Sequence, residues 1–175
     1  HDFGLPDGLP ARQLPFPIRN TEVVPAPWLA STAMHYRLLY AQPTRRQVFV
    51  ENRWAAQPAQ LIELTIRRSM RTADPALGGS GCRLRVDLDE FAQIFDAEGV
   101  SRGVVEARAA LLAPRSDQLI ATRAFSVARP APSANAVGGV VALREVVTHL
   151  KGELLDWLEG LDAEPASRVR ARCGA

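Results

Sequence analysis

Gln47-Val-Phe-Val-Glu-Asn-Arg-Trp-Ala-Ala-Gln-Pro-Ala-Gln-Leu-Ile-Glu-Leu-Thr-Ile-Arg-Arg-Ser-Met70 is the stretch whose reading decides the fold. Val48, Phe49 and Val50 form a β-branched and aromatic run that reads as the buried end of a strand, and Pro58 stands where a first helical turn tolerates a missing N–H. From Pro58 onward Ile62, Ile66 and Met70 recur every four residues beside Leu61 and Thr65, while Gln60, Glu63 and Arg67 take the other side. Glu63 precedes Arg67 by one turn, the favourable order for an i,i+4 ion pair. The corner Asn52-Arg53-Trp54-Ala55 therefore joins a strand to an amphipathic helix. Trp54 is expected to plug the gap between them, with Arg53 snorkelling over it or meeting a carboxylate.

Upstream, the chain is extended and punctuated by proline. Pro6, Pro10, Pro15 and Pro17 forbid regular helix before Ile18, and Pro25 and Pro27 each remove a ladder donor, which keeps Thr21 to Leu29 out of a central strand. His1 to Leu5 reads as a short strand and the region around Val23 and Val24 as an edge segment ending on Trp28 and Leu29. Met34 to Tyr40 alternates as a strand with one wet face, and Pro43 to Arg46 is read as the turn into the Gln47 strand.

Downstream, Thr72 to Gly81 is rich in Gly, Ala, Pro and Ser and reads as a loop. Cys82, Leu84, Val86 and Leu88 then alternate with Arg83, Arg85, Asp87 and Asp89, a half-buried strand. Phe91 and Phe95 continue it out of phase, which predicts a bulge near Glu90. Val105 to Leu111 and Leu119 to Val127 complete an antiparallel meander, with the turn at Pro114 to Asp117. Asn135 is a candidate N-cap for a helix carrying Val140, Leu143, Val147, Leu150, Leu154 and Trp157 or Leu158, closed by Gly160. These elements predict a two-layer α+β domain over residues 1–161. Its mostly antiparallel sheet is packed by two amphipathic helices, at about 57–71 and 138–159, and residues 162–175 form a flexible tail with little to bury.

With 175 residues the chain suits one domain, which hides roughly 70% of the unfolded chain's surface. Hydrophobic residues at 47% and charged residues at 23% exclude a disordered or coiled-coil chain. Lys+Arg at 21 against Asp+Glu at 19 gives +2, too small to argue for a polyanionic partner. Cys82 and Cys173 have no metal-ligand spacing, and a bridge between a strand and a loose tail is not expected. No run reaches the ~20 apolar residues that span a bilayer. The first residue is His1 rather than Met, so the chain reads as trimmed, and any export signal would lie upstream of His1.

Searching for chemistry, His1, His35 and His149 are too scattered for a zinc helix, and His149 reads as a solvated surface residue. Gly78-Gly79-Ser80-Gly81 follows a helix and precedes a strand, the wrong order for a phosphate cradle. Asp87, Asp89 and Glu90 lie among Arg83 and Arg85, so cross-strand ion pairing outweighs Ca²⁺ binding. No serine sits in a G-x-S-x-G elbow. Arg45, Arg46, Arg67, Arg68 and Arg71 lack an aromatic ladder and are interrupted by Glu51 and Glu63, which argues against nucleic acid. No catalytic, cofactor or metal residue emerges. The candidates for structural or partner-facing roles are Trp28, Leu29, Arg53, Trp54 and Trp157.

The order of elements takes the reading further. Arg53-Trp54-Ala55, the stretch Leu84-Arg-Val-Asp-Leu-Asp-Glu-Phe91, and Val141-Ala142-Leu143 in the last helix resemble the ABC-type transport auxiliary lipoprotein family. Its PqiC-like members belong to intermembrane transport systems, and the likeness covers about Asp2 to Leu161. The resemblance implies an exported, non-enzymatic protein acylated at a cysteine upstream of this sequence and held on the periplasmic side of the outer membrane. Its implied partners are an MCE-family protein and an ABC permease and ATPase moving lipids or hydrophobic compounds, and homo-oligomers are an open possibility. From a different class, a lipid or small-molecule carrier would hold its cargo in a pocket between sheet and last helix, lined by Phe91, Phe125 and Trp157.

Overall fold

The computed structural model describes residues 1–4, 10–71 and 80–174. In chain order its strands are β1 (Arg12–Gln13), β2 (Ile18–Pro25), β3 (Ala33–Leu38), β4 (Gln42–Arg53), β5 (Met70–Arg71), β6 (Cys82–Ala97), β7 (Val100–Leu112) and β8 (Leu119–Pro130). The helices are α1 (Pro58–Ser69), α2 (Ala136–Ala163) and α3 (Val169–Cys173), with a 3-10 turn at Pro27–Leu29. The fold is α+β, as the sequence predicts.

The sheet is organised by β6. Along one side it pairs antiparallel with β7, which pairs antiparallel with β8, the expected meander. The other side of β6 is shared end to end: β2 lies parallel to Cys82–Leu88, and β3 lies parallel to Gln93–Phe95. The predicted bulge is present, a register shift between Leu88 and Glu90. It brings Phe91 onto the face that carries Leu84, Val86 and Leu88, so one strand feeds a continuous core past a change of phase. The parallel β2 and β3 make the sheet mixed.

The two long helices, α1 and α2, lie on one face of this sheet, and their side chains join those of the strands in a single core. The sequence around Gln57 starts α1 through a capping box in which Gln57 and Gln60 serve each other's backbone, with Pro58 in the first turn. Ile62 and Ile66 are buried, and Arg67 meets Glu63 at 3.0 Å as the spacing predicts. Asn135 caps α2 by accepting from Gly138 N. Leu143, Leu150, Leu154 and Leu158 are fully buried, each contributing roughly 1.5–3 kcal/mol of apolar burial. Gly103 of β7 lets α2 press on the sheet: a Cβ there would lie 2.8 Å from the backbone at Ala142 and Leu143.

Several expectations are corrected. Val48 and Val50 are exposed, because β4 is an edge strand and, among the described residues, no helix covers those side chains. The turn into β4 falls at residues 39–41, and Pro43 lies inside β4, where an edge spares its missing N–H. His1 to Gly4 forms no strand; Phe3 packs on Trp54 and Phe91 instead. Gly160 does not close α2, which runs to Ala163 because Leu161 is still buried. Residues 72–79 of the expected Thr72–Gly81 loop, and Leu5, lie outside the described residues.

The C-terminal stretch has more to bury than its arginines suggest. Val169 and Cys173 on α3 are buried, the Ser167 hydroxyl donates to the Leu161 and Glu164 carbonyls, and Arg170 pairs with Asp162. Cys173 forms a disulfide with Cys82, closing a separation of 91 residues. The sequence pattern argues against this bridge, yet it exists because α3 folds back to the start of β6, a contact no local pattern encodes.

Candidate partner-facing surface

The Trp54 corner is a structural plug. The Trp54 amide donates to Thr32 O at 2.8 Å, fixing the exit from β4, and the ring is 3% exposed between Phe3 at 5.4 Å and Phe91 at 5.5 Å. Arg53 is exposed, and its carbonyl accepts from the His1 amino group at 2.7 Å. Leu29 is fully buried. Trp157 packs edge-on against Phe125 at 6.2 Å, inside the core that also holds Phe91. The three rings considered as lining for a cargo pocket are thus core side chains. Trp28 differs, being 53% exposed with the Arg46 guanidinium 5.7 Å from its ring centre.

Arg46 leads from Trp28 to a group the sequence reading did not assemble. It makes a two-pronged contact with Glu90 at 2.7 and 2.8 Å, and Arg37 reaches the same carboxylate at 3.4 Å. Burial pushes the Glu90 carboxyl up, but the Arg46 hydrogen bonds and charge prevail and hold it below the usual carboxylate range. Beside them His35 is buried with neither ring nitrogen hydrogen-bonded. Burial, followed by the Arg46 charge, lowers its proton affinity, so the ring is neutral near pH 7. Glu90 stood in the acidic trio, but its partners lie 44 and 53 residues away and carried no local signal.

The rest of the trio is committed similarly. Asp89 is gripped across strands by Arg108 at 2.7 and 2.8 Å, which lowers its proton affinity, and Arg85 turns to Asp87 at 2.8 Å. Ion pairing is the expected outcome, though Arg108, Arg46 and Arg37 supply most of it. Carboxylates held ionised by guanidinium groups are poor proton carriers near neutrality. This surface offers charge, shape and one exposed indole for recognition.

No curated protein matches the chain. Its fold is similar to a solved protein of Xanthomonas campestris, assigned to a domain family of unknown function, at 20% identity and TM-score 0.73, covering 91% of this chain and 93% of that one. A second solved structure, of an uncharacterized protein, matches at 15% identity and TM-score 0.64 over 85% of this chain and 99% of the other. The sequence over residues 22–154, more than half of the chain, matches the family described as the ABC-type transport auxiliary lipoprotein component. That span runs from β2 through the Trp54 corner and the meander into α2, and the chain belongs to this family.

Proposed function

We propose that this protein is a non-catalytic periplasmic accessory lipoprotein that docks an ABC/MCE-type intermembrane transport system at the outer membrane. In this reading a lipid anchor precedes His1, the partners are an MCE-family protein with its permease and ATPase, and the cargo is a lipid or other hydrophobic compound. Family membership carries the proposal. The buried Cys82–Cys173 disulfide supports the compartment, since such bridges persist in oxidising spaces and are rare in the cytosol. Trp28 backed by Arg46 has the chemistry of an interface anchor.

The test expresses the full open reading frame with a C-terminal tag in its bacterial host and fractionates the envelope. The expected result is membrane association with both cysteines oxidised and co-purification of the MCE component, weakened by Trp28→Ala at unchanged thermal stability. A cytosolic protein with free thiols, or an envelope protein that retains no transport component, sinks the proposal.

A further inference from the structure

Among the described residues three long strands lie at the sheet's borders, and two of these margins are blunted while one is not. Along β2, the Val23 amide donates to the Glu63 carboxylate at 3.0 Å and Arg67 donates to Thr21 O at 2.8 Å, so α1 occupies that margin. β4 is broken by two register shifts against β3 and contains Pro43. Both devices discourage further pairing. β8 has neither. It pairs with β7 without a break from Arg102↔Pro130 to Leu111↔Ala121, and among the described residues no strand lies on its other side. By the alternation of an antiparallel ladder, about half of its residues turn their N–H and C=O outward. Among the described residues, no side chain of another element bonds to the backbone of Ile120 to Arg129; Arg172 reaches only Leu119 O, at the strand's start.

The side chains favour one occupant. Thr122, Ala124, Ser126 and Ala128 are small, uncharged and exposed, with no gatekeeping charge among them. Arg123 and Arg129, six residues apart and so on one face, are the only charges in the strand, and no carboxylate of a described residue pairs with either. Two copies of β8 laid antiparallel offer no opposite-charge pair, and a register that sets arginine against arginine is repulsive, so a carboxylate-bearing strand gains cross-strand attraction that a second copy lacks. We propose that the free edge of β8 takes an extended, carboxylate-bearing peptide segment of a partner protein, which adds a strand to the sheet. This rests on the docking role above and names the surface and the partner's chemistry.

The test uses the disulfide-intact protein and a fluorescent ten-residue peptide of alternating valine and glutamate, read by anisotropy. N-methylation of every second residue is expected to weaken binding at least tenfold, because it deletes the donors of one peptide edge. The double variant Arg123→Glu/Arg129→Glu, folded by thermal scan, is expected to lose at least tenfold for this peptide and to gain for a valine–lysine peptide. No binding at millimolar peptide, equal binding of the methylated peptide, or indifference to charge reversal overturns the assignment. So does a concentration-dependent dimer of the chain alone that Ala124→Lys abolishes. A double variant that still co-purifies with the transport component sinks the β8 edge and leaves the docking role standing. Failure of the unaltered protein to co-purify sinks that role whatever the peptide does.

Discussion

Breaking the Cys82–Cys173 bridge tests the claim that the C-terminal segment is part of the folded unit. The bridge closes 91 residues. In the chain-entropy treatment a loop of that length removes about 15.5 cal/mol/K from the unfolded ensemble, about 4.6 kcal/mol at 25 °C. At an unfolding entropy of about 2.1 cal/mol/K per residue, a 175-residue chain loses roughly 12 °C in Tm for that energy. Loss of the sulfur contacts at two fully buried positions adds to the effect. The assay is differential scanning calorimetry of the oxidised protein, the same protein in excess reductant, and Cys82→Ala/Cys173→Ala, with thiols counted after denaturation. Reduced protein should melt roughly 12 °C below the oxidised form, and the double variant, which alone lacks the sulfur atoms, lower still. A shift under 2 °C, or two titratable thiols in the unreduced protein, refutes the reasoning.

Three other outcomes follow from the core and the buried charges. Trp54→Ala removes the ring between Phe3 and Phe91 and is expected to cost about 3–5 kcal/mol in urea unfolding. Gly103→Ala forces a methyl to 2.8 Å from the α2 backbone, so a loss of about 1–3 kcal/mol is expected, while a control Gly152→Ala, whose added Cβ meets open space within α2, is expected to lose nothing. His35 binds its proton less readily folded than unfolded, so folding stability is full above the unfolded value of about 6.5, falls as pH drops below it, and levels off below the folded value. Tm measured between pH 7.5 and 5.5 should fall for the native protein and less for His35→Leu; parallel curves would remove His35 as the cause.

Much of the architecture was legible because it is written in local periods. Alternation in Cys82 to Leu88, the phase slip before Phe91 and the heptad-like spacing from Val140 to Leu158 each report burial directly. The tryptophan corner was legible because strand and helix must both hide a side there. Hidden features share one cause, distance along the chain. Val48 and Val50 look like core until β4 is known to sit at the margin, and Glu90 looks like surface until Arg46 and Arg37 arrive from elsewhere. The disulfide needs α3 to return to β6, and the arginine-rich tail masks the two residues that hold it there. Of the surface candidates, Trp28 could be named from sequence but not told apart from Leu29 beside it. Only the 3-10 turn decides which of the two faces out.

The sharing of β6 by two parallel neighbours also imposes an order of events. Ile18 finds its place beside Cys82, and the β3–β4 hairpin, in which Tyr36 already lies opposite Gln47, docks beside Gln93, so neither β2 nor that hairpin joins the main sheet until the middle of the chain has been made and laid out. The meander β6–β7–β8, by contrast, forms between segments adjacent in sequence, the quicker kind of assembly. A chain delivered from its N-terminus thus presents its guests before their host.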